Sequence, residues 1–337
     1  MSILNRIKRS TLVMGALGAM AVGLAHGQSA PAHDATRAAQ DESLYPPWQH
    51  GANNDSARRG LEFTEPDADN LADFHGDPLH AALSLYVGGN YFFAMAPLVQ
   101  AFEARYPQYK GRVYWETIPP GLLAKQMEAD GTVTVGNMTW TAQPDVYLAG
   151  LKAVQKQIQA GWLQAPAVPY VTNTLTIMVA KGNPEHVTGL ADLGKPDIRL
   201  AMPNPAFEGI ARQIKASLKH AGGDGLLDSV YGRKVADGTT MLTHIHHRQT
   251  PLWVMSGKVQ AGVTWQSEAV FQEKAGHPVD DVSIPPHDNT TAIYAGAIAS
   301  HAPHPEAAKR WLDFIRSPAA LAIFEQYGFK ACKAGES

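Results

Sequence analysis

The sequence predicts an α/β protein built as two doubly wound lobes. Three observations lead there. From Ala82 onward, short apolar runs alternate with segments of helical spacing, the pattern of mostly parallel sheets with helices on both faces. Of the 337 residues, roughly 310 follow the leader described below, more than one hydrophobic core usually serves. The chain is 45% hydrophobic and has one cysteine, Cys332, so buried cores must hold it and no internal disulfide can form.

The chain opens on an export signal. Arg6, Lys8 and Arg9 precede a short apolar run, and Ala25-His26-Gly27 supplies small residues for cleavage. That run is too short to cross about 30 Å of hydrocarbon, so residues 1–27 read as a removable leader to the periplasm. No twin-arginine pair precedes the run and no cysteine follows it for a lipid anchor. Residues 28–81 are polar and rich in proline and aspartate (Pro46-Pro47, Asn53-Asn54-Asp55, Glu65-Pro66-Asp67). With too few apolar groups for a core of their own, they read as an extended arm. Asp73-Phe74-His75-Gly76-Asp77 is the exception, expected to dock as a turn.

Regular structure begins with a strand over Leu83-Ser84-Leu85-Tyr86-Val87 and a turn at Gly88-Gly89-Asn90. A helix from Phe92 to Tyr106 follows, with Met95, Leu98, Val99, Phe102 and Tyr106 on one face. Pro97 predicts either a later start or a bend. A strand at Val113-Tyr114-Trp115 leads to a helix near residues 122–127, and one at Asp145-Val146-Tyr147-Leu148 to a helix near 152–160. A strand over 174–179 precedes a turn at Gly182-Asn183-Pro184 and a short helix near 190–193. A strand at 198–202 leads into a helix over 207–220.

The junctions at the strand ends are made of Gly, Asn, Pro and Ala rather than catalytic side chains: Gly88-Gly89-Asn90, Ala149-Gly150 and Asn204-Pro205-Ala206-Phe207. Helix N-termini leave N–H groups unpaired and carry partial positive charge, so several aimed at one point form an anion site. The net charge of −3 and the lack of a basic stripe exclude a nucleic-acid partner. No nucleophile elbow, phosphate loop, zinc-protease helix or paired cysteines occur. Glu208 and Glu268, close to predicted cleft loops, are the acids an enzyme would use, but nothing in the pattern ties them together.

The chain resembles the type II periplasmic binding proteins of oxyanion transporters, best represented by the molybdate-binding proteins, over residues 83–329. The resemblance is carried by Asn173-Thr-Leu-Thr-Ile-Met-Val-Ala-Lys-Gly-Asn-Pro184, Gly189-Leu-Ala-Asp-Leu193 and Lys195-Pro196, and by the tail segments His304–Phe314 and Ser317–Phe329. It implies two α/β lobes joined by a hinge, with lobe I at 82–172 plus 287–331 and lobe II at 173–286. The expected hinge points lie at 170–174 and 285–293. Function is then capture of a small tetrahedral oxyanion (molybdate, tungstate or sulfate) for an ABC permease in the membrane, by a monomer without a cofactor. The implied ligand contacts are Gly89, Asn90, Tyr91, Ala149, Gly150, Asn204, Ala206, Phe207, Arg248 and Trp265. Asn90 replaces the molybdate-binding serine and keeps a donor; Ala149 replaces another and loses one. Trp265 stands where molybdate binders have tyrosine and resembles the sulfate-binding relatives, with a core aromatic as its other reading.

His244, His246, His247 and Arg248 form the most unusual cluster. His244 and His247 are three apart, a spacing that also suits a metal pair, whereas Arg248 has the fork that fits oxyanions. Adjacent tyrosines of the kind iron carriers use are absent. A metal-binding protein, a sensory binding protein and a metal-dependent hydrolase using His244 and His247 are the alternatives. Phosphate, partly protonated, would need a carboxylate acceptor such as Glu208 or Glu268.

Overall fold

The computed structural model describes residues 73–135, 138–206, 208–243 and 249–332. The leader, nearly all of the arm, Phe207 and the His244–Arg248 cluster lie outside the described residues. Strand β1 (Asp73–His75) is followed by β2 (Leu83–Gly88), helix α1 (Phe92–Arg105), β3 (Val113–Ile118), α2 (Pro120–Glu128) and the hairpin β4 (Thr132–Val135) and β5 (Met138–Thr141). Then come β6 (Val146–Gly150), α3 (Leu151–Gln159), β7 (Val168–Ala180), β8 (Leu200–Met202), α4 (Gly209–Asp228), β9 (Thr240–Leu242) and α5 (Gln249–Met255). The chain closes with β10 (Ala261–Trp265), α6 (Gln266–Lys274), β11 (Val279–Ser283), β12 (Thr291–Ile298), α7 (Pro305–Ile315), α8 (Pro318–Glu325) and β13 (Lys330–Ala331).

One strand joins two half-sheets. The early residues of β7 pair with β12 and β13, its later residues with β10 and β11. On one side the order runs β1-β3-β2-β6-β12-β7 and on the other β7-β10-β8-β9. Within these, β2 is parallel to β3 and β6, and β8 is parallel to β9 and β10. The predicted alternation of strand and helix therefore yields parallel pairing at the heart of each half, with antiparallel pairs at β1–β3, in the β4–β5 hairpin and where β7, β10, β11, β12 and β13 cross or return between the halves.

Each half has a core on both faces of its sheet. Leu83, Leu85, Leu98, Phe102, Trp311 and Phe324 build one face of the first half, and Tyr86, Leu123, Tyr147 and Val154 the other. In the second half Ile177, Leu200, Ile214 and Val263 pack on one face and Met178, Ala201, Trp253 and Val259 on the other. Alternation along β7 sends Ile177 and Met178 to opposite faces, which is the period of two at work.

Several elements differ from expectation. β7 begins six residues earlier than the strand read from sequence, because Pro169, Thr172 and Asn173 interrupt the apolar pattern while the ladder continues through them. Asp73 to His75 dock as an edge strand on β3 rather than a turn, with the His75 ring stacked on Trp115 at 4.5 Å. The β4–β5 hairpin was not anticipated. Pro97 lies inside α1 without moving its start from Phe92. α4 runs on to Asp228 across a break at Gly222 and Gly223, where Gly223 takes φ 66°. No helix among the described residues is long and apolar enough to cross a membrane.

Candidate functional site

The carboxyl ends of the parallel strands open toward a set of helix starts. β2 leads through the turn Gly89–Tyr91 into α1, β6 into α3, β8 into α4, and β10 into α6. At the N-cap positions of α1, α3 and α6 stand Tyr91, Gly150 and Trp265, and none makes a side-chain capping bond. Helix α8, whose Phe324 ring meets that of Tyr91 at 6.3 Å, has an ordinary cap, with the Ser317 hydroxyl accepting from the Ala320 N–H at 3.4 Å, whereas α2 and α7 also lack one. Donors at an uncapped helix start suit an anion.

Three junctions meet around Tyr294 on β12. Tyr294 lies opposite Gly150, next to the Ala295–Ala149 pair. Its ring meets the Tyr91 ring edge-on at 5.4 Å and the Trp265 ring at 6.2 Å. Gly89 and Asn90 occupy the turn just before Tyr91. The Tyr91 side chain points into the first core, fully buried, its hydroxyl 2.8 Å from that of Tyr170. Any contact of Tyr91 with a ligand is therefore through its backbone. Trp265 is 6% exposed and belongs to the second core, so the core reading of this residue describes most of its surface. Tyr294 escaped the sequence reading: it sits mid-strand among small residues, with no turn or charge to flag it.

The β8–α4 junction lies at the same edge, on the strand beside β10. Here most donors are already engaged. The Asn204 N–H donates to Glu208 Oε1 at 3.1 Å and to Thr243 Oγ1 at 3.2 Å. The Ala206 N–H donates to Asn204 Oδ1 at 3.0 Å. The Thr243 hydroxyl, at the end of β9, donates to the same Glu208 oxygen. Glu208 is 9% exposed, so a carboxylate is built into a loop expected to offer donors. Tyr231 stands nearby, donating to Pro203 O at 3.1 Å, and burial together with Glu208 pushes its phenol well up.

Glu268, the other acid noted from sequence, is not paired with Glu208. It sits in the first turn of α6, 1% exposed, with Oε1 accepting from Gln272 Nε2 at 2.8 Å. There it complements the helix start. Among the described residues no group of three or more His, Cys, Asp or Glu is placed to hold a metal. Phe207, Arg248, His244, His246 and His247 lie outside the described residues.

Two segments cross between the halves. Asn173 Nδ2 on β7 donates to Ser267 Oγ on α6 at 2.8 Å. The Asn289 amide inserts against β7, accepting from Leu175 N–H at 3.1 Å and donating to Leu175 O at 2.8 Å. Phe271 of α6 stacks on Phe93 of α1 at 4.9 Å and meets Phe92 edge-on at 5.2 Å.

Known proteins share this fold. The molybdate-binding protein ModA of Mycobacterium tuberculosis is 24% identical over 255 residues, covering 75% of this chain and 86% of its own. The sulfate-binding protein SubI of Mycobacterium tuberculosis superposes with TM-score 0.61 at 18% identity, over 75% of this chain and 88% of its own. The periplasmic molybdate-binding protein of Azotobacter vinelandii gives TM-score 0.59 at 18% identity, over 74% of this chain and all of its own. A family model matches residues 83–330, the whole of both half-sheets beyond β1. The chain belongs to the bacterial extracellular solute-binding proteins.

Proposed function

We propose that the protein captures a small tetrahedral oxyanion in the cleft between its lobes and presents it to an ABC permease in the membrane. The observation that carries this reading is the meeting of three helix-start junctions, at Tyr91, Gly150 and Trp265, around Tyr294. Lobe I takes residues 82–172 and 287–331, and lobe II residues 173–286. The division follows the separation of the cores, which part between Val171 and Leu175 and between Ile284 and Tyr294. The ligand contacts we assign are the backbone of Gly89, Asn90, Tyr91, Ala149 and Gly150 from lobe I, and Phe207, Arg248 and Trp265 from lobe II, with Asn204 and Ala206, whose N–H groups are engaged within their own loop, lining the cleft beside them. Bending at 170–174 and 285–293 closes the lobes, excludes water and strengthens each hydrogen bond. Capture rather than catalysis is the outcome, for a monomer exported to the periplasm. The curated and structural relatives named for molybdate and sulfate support the anion class.

A thermal-melt panel with molybdate, tungstate, sulfate, phosphate, ferric iron and zinc tests this. An anion at 100 times its dissociation constant adds about 2.7 kcal/mol to the folded state, and the melt rises. A rise with zinc or iron alone rejects the oxyanion reading in favour of a metal carrier.

A further inference from the structure

The helices that start at the candidate ligand junctions carry charge of one sign where they meet solvent. Over the first two turns of α1, α3, α4 and α6, no acid is exposed among the described residues. The one acid in those turns, Glu268, is buried. The exposed charges there are Lys152 and Lys156 on α3 and Arg212 on α4. Several surface cations elsewhere sit on carboxylates, as Lys181 does on Asp280, Lys219 on Asp224 and Lys309 on Glu306. Lys152, Lys156 and Arg212 make no such pair among the described residues. Lys152 stands two residues past Gly150, within about 8 Å of it, and Lys156 is one turn further on. Arg212 lies in the first turn of α4, on the other half. The chain as a whole has net charge −3, which repels an anion from afar. Unpaired cations in open solvent counter that repulsion over a Debye length, about 8 Å at physiological salt and about 30 Å at 0.01 M.

We propose that Lys152, Lys156 and Arg212 form an electrostatic rim, part on each lobe, that draws the anion into the cleft and sets how fast it is captured. The proposal rests on the oxyanion reading and goes beyond it, assigning the capture rate to side chains outside the set that holds the bound anion. Helix-start amides do the holding. Charges at the edge of a binding site act on association and its salt dependence, whereas groups in direct contact act on dissociation.

The test is stopped-flow tryptophan fluorescence of the full chain mixed with molybdate, sulfate and phosphate, in sodium chloride from about 10 mM to about 150 mM. Wild type is compared with Lys152→Gln/Lys156→Gln/Arg212→Gln and with a control, Arg105→Gln/Lys110→Gln/Arg112→Gln. The control removes the same charge at the far end of lobe I: Arg105 ends α1, about 20 Å from its start, and Lys110 and Arg112 precede β3. All six side chains are exposed, so both variants keep their cores. At about 10 mM salt the rim variant is expected to associate about 10-fold more slowly than wild type, with a flatter salt dependence and an unchanged dissociation rate. The control is expected to stay close to wild type. Equal slowing in both variants overturns the proposal in favour of net charge alone. An unchanged association rate in the rim variant, or a loss that falls on dissociation, overturns it too. In each of these cases an anion still binds and the oxyanion reading stands. Failure of all three anions to bind, by fluorescence and by equilibrium dialysis, overturns both.

Discussion

Glu116 on β3 is fully buried, beneath α2 and the β4–β5 hairpin. Its Oε2 accepts from the Tyr114 hydroxyl at 2.7 Å and from Gln126 Nε2 at 3.4 Å. Its Oε1 and the Gln126 Oε1 are both buried without a hydrogen-bond partner, and a proton on Glu116 would give that carboxyl a donor. Burial pushes the Glu116 carboxyl up to about 8, with the Tyr114 and Gln126 bonds pulling it partly back. An acid whose folded pKa is raised binds more protons folded than unfolded, so stability falls as pH rises from about 4.5 to about 8 and levels beyond. Glu116→Gln keeps the shape and provides the missing donor. It is expected to raise stability at pH 8 by about 1–3 kcal/mol and to flatten that slope, as urea melts across the window would show. At the site, Trp265→Phe keeps most of the buried ring but removes the indole N–H. Anion affinity is expected to fall about 10- to 100-fold with a shift of only a degree or two in Tm, checked by titration and melting of the same samples.

Strand β10 stands between β7 and β8 and carries Gly262 as its second residue. A Cβ there would lie 2.4 Å from Thr250 Cγ2 and 2.6 Å from Ala201 O. One of those neighbours is backbone, so the strand itself would have to move. Gly262→Ala is therefore expected to cost about 1–3 kcal/mol, read as a lower urea midpoint. It should also weaken ligand binding, because the same strand positions Trp265. The β7 crossing depends on a different device. Asn289 uses its side-chain amide as a ladder rung on Leu175, joining the two crossing segments without continuing the sheet. Asn289→Ala strips both bonds and leaves buried backbone groups unpaired, and about 1–3 kcal/mol of stability is expected to go with them.

Among the described residues, α6 carries several of the contacts that reach from one half to the other. The Phe93–Phe271 stack, the Phe92–Phe271 edge contact and the Asn173–Ser267 bond all tie α6 to the opposite half or to the crossing strand. Closure around a ligand is worth only its differential affinity for the closed state, so weakening these ties should reduce affinity from a distance. Phe271→Ala is expected to lower anion affinity about 3- to 30-fold, mostly through faster dissociation, with the ligand-contacting groups unchanged. Stopped-flow dissociation and small-angle scattering with and without anion would check it, the variant showing a larger ligand-free radius of gyration than the wild type.

The order of strands and helices from Leu83 to α4, the β4–β5 hairpin apart, followed from local chemistry: apolar runs, Gly–Asn turns and helical spacing each declare themselves within a few residues. The glycine-bearing strand ends before α1 and α3 were legible in the same way, whereas the one before α4 was not, because its amides turn onto Glu208 and Asn204 Oδ1. Partnership was another matter. That β7 serves two half-sheets, that Tyr294 gathers three junctions, and that Glu208 turns back onto the Asn204 amide depend on contacts between residues up to about 200 positions apart. Whether Glu208 is a solvated helix charge or a buried acceptor is settled by what packs over it. No neighbour in sequence supplies that information.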